Sequence, residues 1–230
     1  MHSDLPKVLH RIHGRPLVTH LLDTLTPLSF DRIVVVIGHK GEMVEAALAD
    51  YPVQFAWQRE QLGTGHAVQM TRSIMTDFDG TTLVLAGDVP FLSAHSINRL
   101  FEFHERTGSV ATCLSAIFDD PKGYGRIVRV HGTDRLQAIV EEKDATEEQL
   151  AIHEINSGTF CFNNRRLFEI IDQLRDDNAQ REYYLTDAIK ILHDKRLPVS
   201  VLTVENPDEV RGINDTNQLE ELATKFPDRQ

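Results

Sequence analysis

The sequence predicts an α/β fold with a mostly parallel sheet and helices on both faces, and two observations support that prediction. Over the first hundred residues, short apolar runs alternate with segments of helical periodicity, which is the pattern of βαβ units. From Val110 onward, strands separated by turn residues predict a mixed β extension. The 230 residues suffice for one substantial core, so we expect one domain over residues 1–230.

The strands are indicated by short apolar runs that are rich in β-branched residues and bounded by turn residues. The first of them, RIVVVIG at residues 32–38, is typical of a strand buried on both faces. In chain order, the predicted strands are residues 32–38, 53–57, 82–86, 110–118, 125–130, 136–140, 154–162 and 199–204.

The helices are indicated by apolar side chains that recur every three or four residues. In the segment 164–174, for example, Leu167 and Ile171 lie on one apolar face. Ser93 or Ser96 is the expected N-cap of the helix that runs to about residue 105. In chain order, the predicted helices are residues 41–50, 65–74, the serine-capped segment, 164–174, 185–192 and a final polar helix opened by Asn214.

Composition and charge exclude some function classes. With 24 basic and 35 acidic side chains the formal charge is -11, which disfavours broad binding to nucleic acid or to an anionic membrane. No run approaches the roughly 18 apolar residues of a membrane span, and the start MHSDLPKVLH lacks the core of a secretory signal. Cys113 and Cys161 lie in apolar strands and are expected to be reduced, with a disulfide as the less favoured alternative. We therefore expect a cytoplasmic protein.

The run QREQLGTGHA, from Gln58 to Ala67, is a candidate base-binding segment. The Gln58 amide offers one acceptor and two donors, enough to pair with the edge of a pyrimidine, and Gly63 lets the backbone approach a ring closely. Thr64 is the expected cap of a helix that begins at Gly65. The alternative is an ordinary β to α connection in which the glycines only make the turn.

Asp88 is a candidate metal ligand, because it follows a strand and its carboxylate is expected at the sheet edge. Mg²⁺ prefers one or two protein oxygens, with phosphates and waters completing an octahedron. Asn214, in VRGIND, could supply the second oxygen. The alternative for each residue is a structural role as the N-cap of the helix that follows it.

Three polar groups beside strands could bind a sugar, which has many hydroxyls and no charge on its ring. Gly125 would supply a backbone donor, Glu141 an acceptor and Asn156 a further hydroxyl contact; the alternatives are a tight turn, a solvated charge run and a strand-end asparagine.

Lys7 could neutralise phosphate as a compact cation, or be a surface lysine. The histidine spacing does not support structural zinc, and no serine stands in a nucleophile elbow.

Eight motifs in one order closely resemble the N-acetylglucosamine-1-phosphate uridylyltransferase domain of GlmU-type nucleotidyltransferases. They are SDLPKVLH at 3–10, QREQLGTGHA at 58–67, LAGDVP at 85–90, DDPKGYGRIVR at 119–129, VEEKDAT at 140–146, EINSG at 154–158, EYYLTD at 182–187 and GIND at 212–215. The resemblance spans nearly all of the chain. It implies a Rossmann-like nucleotidyltransferase fold and magnesium-dependent conversion of UTP and N-acetylglucosamine 1-phosphate to UDP-N-acetylglucosamine and pyrophosphate.

The resemblance also implies roles for individual residues, with Lys7 and Asp88 as the catalytic pair. The implied contacts are Gln58, Gly63 and Thr64 for uracil, Lys7 for phosphate, Ala86, Gly87 and Asp88 for the ribose and metal, Gly125, Glu141 and Asn156 for the sugar, and Asp88 with Asn214 for magnesium. The attacking phosphate oxygen would already be ionised at neutral pH, so no general base is required. Catalysis would lie in holding that oxygen in line with the α-phosphorus while magnesium and Lys7 offset charge.

Two departures from the family pattern bear on activity. Family members carry a first strand and a glycine-rich loop, LAAGxGTRM, of which only the final methionine can correspond to Met1. We therefore expect an N-terminally truncated domain with its first strand missing. No hexapeptide repeats follow Gln230, so any activity should be uridylyl transfer without acetyl transfer. Two alternatives remain: a nucleotide-sugar binding module without catalysis, and a nucleotidyltransferase for another sugar phosphate.

Overall fold

Two separate sheets form the centre of the fold in the computed structural model, which describes residues 4–227. The strands are β1 Arg11–Ile12, β2 Arg15–Pro16, β3 Val34–Ile37, β4 Gln54–Trp57, β5 Thr81–Val84, β6 Ala111–Ile117, β7 Arg126–Arg129, β8 Leu136–Val140, β9 Glu154–Asn163 and β10 Val199–Thr203. The helices are α1 Leu17–Leu25, α2 Gly41–Ala47, α3 Thr64–Gln69, α4 Arg72–Met75, α5 Ala94–Thr107, α6 Glu147–Leu150, α7 Asn164–Ile170, α8 Asp187–Asp194 and α9 Thr216–Lys225. Short 3₁₀ helices cover Lys7–Leu9, Thr26–Leu28, Glu142–Asp144, Ile171–Gln173 and Pro207–Val210.

The larger sheet has six strands and is organised around the long strand β9. Its order is β10-β6-β9-β7-β8, and β5 also pairs with β9. Phe162 of β9 lies opposite both Ala111 of β6 and Thr82 of β5, so these two strands flank β9 on opposite edges. The smaller sheet is the parallel pair β3 and β4, and β1 with β2 forms a separate hairpin.

The predicted α/β architecture, with helices on both faces and a mixed β extension, is confirmed, but the strand directions differ in part from the prediction. Among the described pairs, β3 with β4 and β6 with β10 are parallel, whereas β9 runs antiparallel to β5, β6 and β7. The sheet is therefore mixed and not mostly parallel. Apolar periodicity predicts which residues are extended, but the direction of a strand depends on the path of the chain between strands.

Helices cover the sheets from two sides and bury two large apolar clusters. One cluster includes Val68, Met75, Leu167 and Ile189, which belong to α3, α4, α7 and α8. The other includes residues of α1, α2 and α5, namely Leu21, Leu22, Leu25, Val44, Ile97 and Leu100. The sheets thus form a layer between two sets of helices, which is the arrangement expected for an α/β domain.

Several element boundaries differ from the prediction for local reasons. The predicted helix at 65–74 is divided into α3 and α4, and the segment 164–174 ends in a 3₁₀ turn. Ser93 caps α5 by accepting a hydrogen bond from the Ser96 amide at 3.1 Å, as expected. The hairpin of β1 and β2 and the buried helix α1 have no counterpart among the predicted elements.

Both cysteines are buried free thiols, as predicted for reduced interior residues. Burial raises the pKa of Cys113 and of Cys161, so both thiols stay protonated near neutral pH. Between residues 4 and 227, no helix combines the length and the apolar character that a membrane crossing requires.

Candidate functional site

A cavity of about 1070 Å³ lies between β3 and β5 and opens near the carboxyl ends of the strands. Six of the predicted site residues line it, and they come from segments that are far apart in the sequence. They are Gln58, Thr64, Ala86, Gly87, Glu141 and Asn156. Ligands of α/β proteins commonly bind at the carboxyl ends of strands, so this opening is the candidate active site.

The side chain of Gln58 is held in a defined orientation at this opening. Gln58 follows β4 directly and is only 9% exposed. Its Nε2 donates to the Gly63 carbonyl at 2.9 Å and lies 3.1 Å from Nδ1 of His66. Within residues 4–227 no group bonds to Oε1 of Gln58, which leaves this oxygen as the acceptor that a ligand can use.

Gly63 brings the glycine-rich turn against the backbone of the segment 182–187. Its φ is +112°, and a Cβ at this position would lie 2.7 Å from the Tyr183 carbonyl oxygen and 2.8 Å from its nitrogen. The Gly65 amide donates to the Tyr183 carbonyl at 2.7 Å. Only glycine combines this φ with so close an approach, so two motifs that are distant in sequence form one surface.

The predicted role of Thr64 as a helix cap is wrong. Gly63 occupies the N-cap position of α3, and Thr64 is the first helical residue. The Thr64 hydroxyl instead accepts a hydrogen bond from the Leu185 amide at 3.0 Å. The physical reason is that the Leu185 amide, from a distant segment, bonds to the Thr64 hydroxyl oxygen. This oxygen therefore stabilises a tertiary contact and does not cap the helix.

Lys7, Asp88 and Asn214 form a second cluster beside the opening. Nζ of Lys7 donates to Oδ2 of Asp88, and it donates to Oδ1 of Asn214 at 2.6 Å. The Ile213 amide donates to the Asp88 carbonyl at 3.1 Å, which holds the two loops together. This contact joins residues more than a hundred positions apart in the sequence.

Neither Asp88 nor Asn214 acts as a helix cap, which removes the structural alternative that the sequence left open for both. Ser93 caps α5, the helix that follows Asp88. Asp215 caps α9 by accepting from the Gln218 amide at 2.8 Å, so the prediction that Asn214 opens this helix is off by one residue.

The oxygens of Asp88 and Asn214 fit a divalent cation whose remaining ligands are water molecules and phosphate oxygens. Both oxygens converge on the same ammonium group of Lys7, so a cation could contact both. Within residues 4–227, no cluster of three or more His, Cys, Asp or Glu side chains is suited to hold a metal ion. Two protein oxygens supplemented by water and phosphate match the coordination of Mg²⁺ better than that of Ca²⁺ or Zn²⁺.

Lys7→Ala is expected to raise the affinity of the nucleotide-free protein for Mn²⁺ about tenfold, because a positive charge in contact with Asp88 is removed. Mn²⁺ is used as a paramagnetic probe, and free ion is measured by electron paramagnetic resonance. Lys40→Ala is the matched control, since Nζ of Lys40 pairs with Asp4 instead. An unchanged or weaker Mn²⁺ affinity in Lys7→Ala would contradict a shared position for the ammonium and the metal.

The three predicted sugar-binding residues lie together at the edge of the β extension. The Asn156 amide donates to the Gly125 carbonyl at 2.9 Å, and a Cβ on Gly125 would lie 3.3 Å from Oε2 of Glu141. Thr186 donates to Oε1 of Glu141 at 3.0 Å, and burial raises the pKa of this carboxyl group. Glu141 is therefore a packed residue with defined partners and not part of a solvated charge run.

Two further residues, which the sequence motifs did not single out, hold the candidate site together. Thr186, in the EYYLTD motif, orients Glu141. Tyr124, in the GYGR motif, accepts a hydrogen bond from the Gly212 amide at 3.3 Å and so links the sugar-side loop to the loop of Asn214. Burial raises the pKa of Tyr124, which keeps its hydroxyl protonated. Their position inside the quoted motifs was the available signal.

Comparison with known protein families finds a match over most of the chain. The family described as MobA-like NTP transferase domain matches residues 1–189. Bifunctional protein GlmU of Heliobacterium modesticaldum is 46% identical over 229 residues, which cover 100% of this chain and 50% of that protein. Bifunctional protein GlmU of Bacillus cereus is 45% identical over 215 residues, which cover 94% of this chain and 46% of that protein. The chain thus spans about half the length of these curated relatives.

Comparison with solved structures supports the fold. The crystal structure of HddC from Yersinia pseudotuberculosis, complexed with GMP-PN, aligns with a TM-score of 0.68 and 18% sequence identity. The alignment covers 98% of this chain and 92% of that chain. At this level of identity the likeness establishes a shared fold.

Proposed function

The chain belongs to the MobA-like NTP transferase domain family, and from this premise we propose that residues 1–230 form a sugar-1-phosphate nucleotidyltransferase domain. The proposed reaction is uridylyl transfer from UTP to N-acetylglucosamine 1-phosphate, which gives UDP-N-acetylglucosamine and pyrophosphate. The observation that carries the proposal is that base-side residues (Gln58, Thr64) and sugar-side residues (Glu141, Asn156) line one opening with Gly87, next to which Asp88 is bonded to Lys7. The similarity to GlmU proteins supports this choice of substrates.

In the proposed complex, uracil lies against the turn from Gln58 to Thr64. Uracil presents one ring N–H donor between two carbonyl acceptors. Oε1 of Gln58 has no partner among the described residues and would accept from that N–H. Because Nε2 is already bonded to the Gly63 carbonyl, the amide cannot rotate freely, and this favours a base that offers a donor at that position.

The phosphates would lie between Ala86, Gly87 and the cluster of Lys7 with Asp88 and Asn214. We propose Mg²⁺ as the cation held by Asp88 and Asn214, and when bound it would offset the negative charge of the phosphates. Lys7 would then leave these two oxygens and pair with a phosphate oxygen. Gly87 adds no side chain at this position, which leaves its backbone accessible to the phosphates.

The sugar would contact Gly125, Glu141 and Asn156. Oδ1 of Asn156 accepts from the Gly158 amide at 2.9 Å, which orients the side chain and leaves its NH₂ group to donate to the sugar. Glu141 is oriented by Thr186 and would accept from a sugar hydroxyl. These fixed partners hold the polar groups in place before the sugar binds.

The chemistry requires positioning more than proton transfer. The phosphate oxygen of the sugar phosphate is ionised at neutral pH and needs no general base. The protein would hold this oxygen in line with the α-phosphorus of UTP, and Lys7 would balance charge that develops on the phosphates.

The test is release of pyrophosphate from UTP in a coupled assay. We expect turnover with N-acetylglucosamine 1-phosphate and at least about tenfold lower kcat/KM with glucose 1-phosphate, because the acetamido group is then missing. Equal turnover of both sugars would favour the alternative of another sugar phosphate. Binding of UDP-N-acetylglucosamine by calorimetry without any product would favour the alternative of a non-catalytic binding module.

Gln58→Ala is expected to weaken UTP binding about ten- to a hundredfold, because the ring N–H of uracil and the Gly63 carbonyl each lose a partner. Binding is measured by calorimetry with UTP and Mg²⁺. Gln137→Ala, on an exposed position of β8, is the matched control. If Gln58→Ala binds UTP as tightly as the control does, the proposed base contact is excluded.

A cytoplasmic location belongs to the same proposal. It is supported by the two buried free thiols, which are typical of proteins in a reducing compartment. The net charge of -11 argues against nucleic acid as a partner and leaves small nucleotides held by local cations such as Lys7.

A further inference from the structure

His66 lies beside the amide of Gln58, and the proposed reaction assigns it no role. Its Nδ1 is 3.1 Å from Nε2 of Gln58. The imidazole is partly buried and packs at a tilt against the ring of Tyr183, with 6.5 Å between the ring centroids. Tyr183 is itself fixed, because its amide donates to the Leu62 carbonyl at 2.8 Å. The His66 ring is therefore held by a segment that is distant in the sequence.

The carbonyl of Gly63 determines which end of the Gln58 amide faces His66. This carbonyl accepts from the Ala67 amide at 3.1 Å, as the first hydrogen bond of α3, and from Nε2 of Gln58 at 2.9 Å. A carbonyl oxygen can only accept, so the group that faces it must be the NH₂ end of the Gln58 amide. The backbone of Gln58 is fixed as well, since its N–H donates to the Ile37 carbonyl at 2.8 Å.

The tautomer of His66 follows from the orientation of the Gln58 amide. The NH₂ group of Gln58 has two hydrogens and only donates; one hydrogen faces the Gly63 carbonyl, and the other is available to Nδ1 of His66. Nδ1 must then carry the lone pair, so the proton of the neutral imidazole lies on Nε2. A proton on Nδ1 would set two donors against each other.

This pairing leaves the Gln58 side chain as a pure acceptor toward the opening. Both hydrogens of its NH₂ group have partners, and no described residue bonds to its Oε1. Turning the amide end for end would place Oε1 against the Gly63 carbonyl and against the lone pair of His66 Nδ1. Because Gln58 is only 9% exposed, water would relieve little of this repulsion.

We propose that His66, as the Nε2–H tautomer, is a positioning residue that determines which pyrimidine base can bind at Gln58. This inference rests on the proposed function and adds a determinant of base selection to it. Uracil meets Oε1 of Gln58 with a ring N–H donor, whereas cytosine carries an acceptor nitrogen at the same ring position. Cytosine could pair with Gln58 only if the amide turned over, and His66 opposes that rotation.

Two substitutions of His66 separate this role from a role in packing alone. Loss of packing weakens every ligand of the site to a similar extent, whereas loss of the acceptor at Nδ1 changes the ratio between uracil and cytosine. Leu is close to His in size and has no acceptor. Asn, like His, branches at Cγ and can place an oxygen where Nδ1 lies. His66→Leu therefore removes the acceptor, and His66→Asn restores it.

The first measurement uses the full chain without nucleotide. Nitrogen-15 NMR at about pH 8.5, where imidazoles are ordinarily neutral, should show the His66 proton on Nε2 and none on Nδ1. Exchange of the Gln58 NH₂ hydrogens with water should become at least about fivefold faster in His66→Leu and change less than about twofold in His66→Asn. His131→Leu, at an exposed position between β7 and β8, is the matched control. A proton on Nδ1 would overturn the proposal.

The second measurement compares the binding of UTP and CTP by calorimetry with Mg²⁺. We expect the preference of the wild-type protein for UTP to fall at least about tenfold in His66→Leu, because one of two contacts that oppose rotation of the amide is lost. His66→Asn should keep the preference within about threefold of the wild-type value. The kcat at saturating UTP should stay within about twofold in both variants, since His66 acts through Gln58 on the base and not on the reacting phosphates.

Three outcomes of the binding measurement would overturn the proposal. They are an unchanged preference for UTP in His66→Leu, an equal loss of preference in His66→Asn, and a wild-type protein that binds UTP and CTP equally. The first outcome would make His66 a packing residue, and the second would show that the acceptor is not what matters. If the chain binds neither nucleotide, the proposed function fails together with base selection, and the nucleotide-free NMR measurement reports separately on the pairing of His66 with Gln58.

Discussion

Asp88→Asn is expected to lower uridylyl transfer at least about a hundredfold, measured as pyrophosphate release at saturating UTP. The substitution keeps the size and shape of the side chain but removes the only full negative charge in the cluster with Lys7 and Asn214. A divalent ion contributes several kcal/mol to stabilising charge in phosphoryl transfer, and each 1.4 kcal/mol or so corresponds to a tenfold change in rate. Asp50→Asn, at an exposed position after α2, is the matched control.

A second measurement separates loss of metal from loss of structure. Mn²⁺ binding should weaken in Asp88→Asn while the midpoint of thermal unfolding changes little, because Asp88 is partly exposed and the surface pair with Lys7 contributes little to stability. Full activity with unchanged Mn²⁺ affinity would exclude Asp88 as a metal ligand. Loss of activity with normal Mn²⁺ affinity would instead indicate a role at the substrate alone.

Gly63→Ala is expected to destabilise the protein by about 3 kcal/mol or more, because two separate costs add. The φ of +112° is a conformation that residues with a Cβ rarely adopt. The new Cβ would also lie 2.7 Å and 2.8 Å from backbone atoms of Tyr183, which cannot move aside as a flexible side chain could. The free energy of unfolding is measured by urea denaturation.

Gly132→Ala is the matched control for this substitution. Gly132 has a φ of +72°, but a Cβ there would meet nothing within 4 Å. It should therefore cost only about 1–2 kcal/mol of backbone strain. The difference between the two variants measures the contact of the glycine-rich turn with Tyr183. If both variants lose the same stability, that contact is not tight, and Gly63 serves only the turn.

The site was predictable as a set of local motifs, and the contacts among them were not. Lys7, Asp88 and Asn214 were each selected from their own segment, with a structural alternative beside each. The caps at Ser93 and Asp215 decide against the cap alternatives for Asp88 and Asn214, and Lys7 bonds to both of these residues. The individual roles in binding UTP and the sugar remain proposals that the variants above test.

Two errors in the sequence prediction have different physical origins. Thr64 looked like a helix cap, but its hydroxyl is bonded by the Leu185 amide, more than a hundred residues away. Asn214 looked like the start of α9, but Asp215 is the residue that accepts from the Gln218 amide. The first case has no signal in a local window, whereas the second is an ordinary one-residue uncertainty at a helix end.

The sequence by itself determined the α/β class, most of the strands and helices, and the segments that carry the candidate site, because periodicity, turn residues and motifs are properties of short windows. Tertiary structure alone decided that β9 runs antiparallel to its neighbours and that, among residues 4–227, no strand pairs with the second edge of β3 or of β5. The physical reason is that backbone hydrogen bonds between strands are formed by groups that every residue carries. Which edges meet therefore depends on the path of the whole chain and not on the side chains of any one segment.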